Sequence, residues 1–144
     1  MTSPKTVSVN AEELRDAFDF VSIALPSEHS AYICRDTGQI HSVAPGLEED
    51  EDLPEDLETS DRYIAIPHRN DLDLGRRLAL AFSEQELRDE HNTVAGYFRR
   101  PGAYGRFKDL LHRRGKLQSW YEFEEQATEK ALLAWCEENG IQPV

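Results

Sequence analysis

The residues of this chain that could do chemistry are spaced in ways that fix no reaction. Histidines stand at 29, 41, 68, 91 and 112, and none lies at metal-ligand spacing from another. His68 is followed by Asp71 and Asp73, residue types that would suit a metal ion or general acid/base work if they converged. Positions two apart on a helix do not face one another, however, and Asp71 has an ordinary use beside the free amides of a helix start. Glu90-His91 lacks the His-Glu-x-x-His ligand spacing. Ser83 and Ser119 are each followed three residues later by Glu, which reads as a helix capping box, and neither occupies a Gly-x-Ser-x-Gly elbow. Cys34 and Cys136 form no Cys-x-x-Cys pair and lie in apolar surroundings, as buried reduced thiols do. The Gly102-Ala103-Tyr104-Gly105 stretch lacks the Gly-Lys-Ser/Thr ending of a phosphate loop, so its glycines are expected to make a tight approach to a helix. No catalytic residue, metal ligand or cofactor is assigned. A hydrolase that assembles His and Asp from distant positions is the third functional reading.

Charge is the more informative chemistry. The 144 residues carry 28 Asp and Glu against 16 Lys and Arg, a formal net charge of -12. Nine of the fourteen residues from Glu48 to Asp61 are acidic and none is basic, so the other 130 residues are close to balanced. A run of that composition, containing Pro54 and only two large apolar residues, gains little by packing; residues 46-61 are expected to form a mobile acidic loop, and deletion of Glu48 to Asp61 is expected to leave the fold intact. It lacks the ligand spacing of a calcium loop. Opposite in sign, Arg99, Arg100, Arg106, Lys108, Arg113, Arg114 and Lys116 lie within eighteen residues that hold one acid, Asp109. Phe98, Tyr104 and Phe107 are interleaved with them, which superficially suits nucleic acid. At helical spacing, Phe107, Leu110 and Leu111 point inward instead and leave the cations in water.

These residues must be positioned by a small mixed fold. Asn10 and Glu13 make a capping box for a first helix whose inner face is Leu14, Ala17, Phe18 and Val21. Residues 31-34 and 39-44 flank a turn at Arg35-Asp36-Thr37-Gly38, where Gly38 accepts positive φ, and residues 62-66 read as a third strand. After Pro67 the apolar period becomes helical. One stripe is expected from Leu74, Leu78, Ala81 and Phe82, followed by a helix opened at Ser83 with Leu87, Val94, Ala95 and Phe98 on one face. Further helices follow over residues 104-111 and, opened at Ser119, over the segment containing Phe123, Ala127, Ala131, Leu132 and Trp135, with Gly140 as its stop. The expectation is a single α+β domain over residues 1-144: an antiparallel sheet of about three strands packed with four or five helices.

The run Gly102-Ala-Tyr-Gly-Arg-Phe-Lys-Asp-Leu-Leu111, followed by Trp120-Tyr121 and by Ala134-Trp-Cys-Glu-Glu-Asn-Gly-Ile141, resembles a bacterial uncharacterised protein family, number 0158. Tyr63-Ile-Ala-Ile-Pro67 is compatible with it, and the likeness is sharpest over residues 97-141. Tyr104 takes a position that is aromatic in that family. The resemblance implies a bacterial protein and supports the fold; it carries no catalytic residues over.

Lys5 is followed by acidic residues without an apolar core, so no secretory peptide is read, and the apolar tracts fall far short of the roughly 20 residues that span a bilayer. A cytoplasmic location is expected, with no membrane partner. The favoured reading is a small interaction or regulatory module without enzymatic activity. Its basic patch would meet an acidic protein or the chain's own acidic loop. A phosphate-ligand or nucleic-acid binding module is the alternative, disfavoured by the overall charge.

Overall fold

The computed structural model describes residues 6-25, 28-44, 54 and 56-144. Their order is β1 (Val7–Val9), α1 (Ala11–Ser22), β2 (Ser30–Cys34), β3 (Ile40–Val43), β4 (Tyr63–Ala65), α2 (Arg76–Glu86), α3 (His91–Tyr97), α4 (Ala103–Arg113), α5 (Leu117–Glu138) and β5 (Ile141–Pro143). Short 3-10 turns cover Arg69–Leu72 and Arg88–Glu90. The fold is α+β, with a three-stranded antiparallel sheet and five helices. The contacts fall into two compact units, residues 1-72 with 132-144, and residues 73-131.

In the first unit, β2 is the central strand of the order β3-β2-β4, pairing Ile33 with both Ile40 and Ile64. The hairpin turn closes through the Gly38 amide, which donates to the Cys34 carbonyl at 2.8 Å. α1 packs on β2 and β3. Its start is fixed by Asn10, whose side-chain oxygen accepts from the Glu13 amide at 2.9 Å, and its buried residues are the expected Leu14, Ala17, Phe18 and Val21. A second sheet, two parallel strands, pairs Val7 with Ile141 and Val9 with Pro143. Val7, Val9 and Ile141 are buried and Ser8 faces out, as a half-buried strand requires.

Residues 45-53 and 55 lie outside the described residues, and with them most of the expected mobile loop. Its far end departs from expectation. Leu57 is buried, and the amides of Thr59 and Ser60 both donate to the Asp56 carbonyl in a turn that leads into β4. Deleting residues 48-61 would therefore remove a buried apolar side chain, so that deletion is not neutral for the fold.

The second unit has its own core of Ala79, Phe82, Leu87, Val94, Phe107, Leu110, Leu111 and Trp120. Its middle is aromatic: the Trp120 ring meets Phe107 at 5.0 Å and Phe82 at 5.4 Å, both edge to face. Three sequence expectations change here. The buried residues of α2 are Ala79, Phe82 and Ser83, with the expected Leu78 packed against the same core, while Ala81 is exposed. Ser83 opens nothing: it is fully buried inside α2, and its hydroxyl donates to the Ala79 carbonyl at 2.8 Å. The break comes at Leu87, whose φ of -135° leaves the helix and carries its side chain into the core. Likewise Ser119 does not cap α5, which already runs from Leu117, with the Trp120 amide donating to the Lys116 carbonyl.

Candidate functional site

α4 is amphipathic by its spacing. Phe107, Leu110 and Leu111 are buried, while Arg106, Lys108, Asp109 and Arg113 face water. It starts at Gly102, whose φ of 81° turns the chain after Pro101, and no side chain caps its first amides. Arg106 and Arg113 stand two turns apart and share one side of the helix. The Arg106 guanidinium reaches back to the Pro101 carbonyl at 3.3 Å, toward the segment that carries Arg99 and Arg100. Lys108 lies over the ring of half-exposed Tyr121 in α5, 5.9 Å from its centre. All seven basic residues of the 99-116 patch fall in the second unit.

They are not equivalent. Arg114 is held by two hydrogen bonds to the Glu90 carboxylate, at 2.6 and 3.1 Å, and Lys116 meets Glu86 at 3.3 Å. Arg99, Arg100, Arg106, Lys108 and Arg113 have no carboxylate at ion-pair distance among the described residues. The countercharges of the patch are thus the end of α2 and the 3-10 turn after it. Five of the seven cations are therefore left without an ion pair among the described residues.

The hydrogen bonds from Arg114, aided by its charge, hold the Glu90 carboxyl below the usual carboxylate range. A folded-state value below the unfolded one means that the pair stabilises the fold fully above the ordinary range and loses that contribution as pH falls through the depressed value. In a double-mutant cycle with Glu90→Gln and Arg114→Gln, the coupling should therefore persist as pH falls through the range in which a free glutamate takes up its proton, and vanish in stronger acid. Coupling unchanged in strong acid would show that charge is not what joins them.

The remaining chemical candidates have structural occupations. His68 is buried; its Nδ1 accepts from the Asn70 amide at 3.0 Å, and its Nε2–H donates to the Ala24 carbonyl at 2.8 Å. With both ring nitrogens engaged by backbone, no lone pair is left for a metal or a proton transfer. Asp71 accepts from the His68 amide at 3.0 Å, closing the 3-10 turn rather than starting a longer helix, and Asp73 pairs with Arg77. The structure brings His29, His68 and Asp71 to one cleft of about 260 Å³, but His29 stacks on Phe20 and bonds the Phe20 carbonyl at 2.9 Å. Among the described residues, no group of three His, Cys, Asp or Glu is placed to hold a metal ion.

Both cysteines are buried and free, as their surroundings suggest. Burial pushes the Cys136 thiol up. At Cys34 burial acts in the same direction, but hydrogen bonds from the Thr37 side chain and from the hairpin turn outweigh it and hold the thiol below its ordinary value. A polar cleft of about 600 Å³ in the first unit is lined by Arg35, Asp36, Arg62, Glu137, Glu138 and Asn139. Its Arg62 is already paired with Asp36 at 3.1 Å, and Arg35 donates to the Asp61 carbonyl at 2.9 Å.

No helix among the described residues is long and apolar enough to cross a membrane. No family model, curated protein or solved structure matches the chain, so the resemblance to family number 0158 stands on its quoted residues alone.

Proposed function

We propose that this chain is a cytoplasmic interaction module that engages an acidic protein partner through the basic side of α4 and the residues before it. One observation carries the reading. Five exposed cations have no carboxylate at ion-pair distance among the described residues: Arg106, Lys108 and Arg113 on α4, whose opposite face is locked into an aromatic core, and Arg99 and Arg100 in the segment before it. Such a surface steers and orients an acidic partner without any covalent step.

Charge reversal tests it. Arg106→Glu with Arg113→Glu changes two exposed positions and touches no core contact, so the helical circular dichroism should be unchanged. Recovery of the partner from cell extract should fall about tenfold or more, since each reversal replaces attraction by repulsion at the contact. Undiminished recovery of every partner would remove these side chains as anchors.

Exposed Tyr121 beneath Lys108 favours a second reading, in which the same face stacks and neutralises a phosphate-bearing strand. Nuclease treatment of the recovered material separates the two, since a protein partner survives it.

A further inference from the structure

We propose that the outer edge of β3 docks an extended basic segment of a partner protein, which adds to the sheet as a further antiparallel strand. The site lies wholly in the first unit and does not depend on the α4 face.

The register leaves this edge open. The Cys34 amide donates to the Gln39 carbonyl, and the pairs Tyr32–His41 and Ser30–Val43 follow it at the two-residue period of an antiparallel ladder. On its other side β2 uses the intervening residues: the Arg35 amide donates to the Arg62 carbonyl, and the Ile66 amide to the Ala31 carbonyl. Gln39, His41 and Val43 therefore turn their backbone groups toward β2. Ile40 and Ser42 turn theirs outward, where no backbone partner meets them among the described residues. Such an edge is a template for one more strand.

A groove of about 550 Å³ follows the same edge, walled by Glu13, Asp16, Ala17 and Phe20 of α1 and by Ile40 and Ser42 of β3. In an antiparallel addition, the two incoming residues that exchange bonds with Ile40 and Ser42 are two apart and place their side chains on the groove side. The groove selects their type. Ala17 is buried and Phe20 and Ile40 are half-buried, an apolar floor for an aliphatic stem. Glu13 and Asp16 are exposed at the rim and pair with no cation among the described residues. Lys or Arg at alternate positions satisfies both, with the stem on the floor and the charge at the carboxylates. A second copy is the poorer occupant, because two-fold pairing of β3 with itself sets each acidic rim against the other.

Amide NMR of the full chain, titrated with an octapeptide alternating Lys with Thr, tests the site. The largest shifts are expected at the Ile40 and Ser42 amides, and an octapeptide alternating Glu with Thr should cause none. The backbone contribution is read with two peptides of equal charge: N-methylation of the Lys residues should abolish binding, and N-methylation of the Thr residues, whose N–H groups point away from β3, should spare it. Ser42→Pro removes only an outward N–H, a change that an edge strand tolerates, and should weaken binding at least about fivefold. Glu13→Gln with Asp16→Asn leaves the Asn10 cap in place and should weaken it roughly fivefold. The methylated peptides alter no residue of the protein, so a misfolded variant does not decide the outcome. Absence of shifts at roughly 1 mM peptide, equal binding of the two methylated peptides, or equal binding of the Glu and Lys peptides would overturn the proposal. Self-association of the chain that Ser42→Pro abolishes would give the edge to a second copy and overturn the basic partner.

Discussion

Trp120→Ala is expected to cost the second unit about 3–5 kcal/mol, and Trp120→Phe far less. The indole is fully buried where α2, α4 and α5 meet, touching Phe82 and Phe107 edge on and lying 6.2 Å from Phe123. Truncation to alanine leaves a hole lined by three aromatic rings, which cannot collapse without moving two helices. Against a typical total stability of about 5–15 kcal/mol, that loss leaves the helical unit marginal. The phenylalanine variant separates packing from polarity. The Trp120 Nε1–H is buried and has no acceptor among the described residues, a defect worth about 1–3 kcal/mol. Phenylalanine removes that donor while giving up part of the ring volume, so the two effects oppose and the net change should stay within about 1.5 kcal/mol. Urea unfolding followed by circular dichroism at 222 nm measures both variants. A phenylalanine variant as unstable as the alanine variant would show that the indole N–H contributes through a partner.

The same core explains what could be read from the sequence. Phe107, Leu110 and Leu111 announce the inner face of α4 by spacing alone, so the position of the basic residues on its outer face was legible. Which cations remain unpaired was not. Glu90 and Glu86, the partners of Arg114 and Lys116, lie 24 and 30 residues upstream, and only the turn at Leu87 brings them round. Composition pointed instead to the 48-61 run as countercharge. The first helix, the hairpin and the third strand were legible because each carries a local signal: a side-chain cap, a period or a turn glycine. The β1–β5 pair carries none, since each strand is three residues long and Val7 meets Ile141 across nearly the whole chain. Asn10, Ser83 and Ser119 show the limit of capping signatures. All three are followed by an acid at the third position, but the signature works only where the preceding backbone is not already helical. Asn10 meets that condition with φ -61° and ψ 122°, while α2 and α5 have begun before their serines.

Gly38→Ala should be the most damaging small substitution in the first unit, for two separable reasons. Its φ of 78° lies in the left-handed region, where a Cβ costs about 1–2 kcal/mol. A Cβ at this position would also drive into the carbonyl oxygen of Ser8 in β1, with the Val7 side chain 3.4 Å away. Backbone cannot step aside as a flexible side chain would, because β1 is fixed by its pairing with β5 and by the burial of Val7 and Val9. Relieving the overlap therefore means displacing a strand or opening the hairpin turn, a further cost of about 1–3 kcal/mol. Gly102→Ala supplies the control. Gly102 has nearly the same φ, 81°, but no atom within 4 Å of the added carbon, so it should show the backbone cost alone. Thermal unfolding of the two variants should place Gly38→Ala lower, with amide exchange accelerated along both β2–β3 and β1–β5. Equal destabilisation of the two would mean that the close approach of the turn to Ser8 is not what demands glycine at position 38.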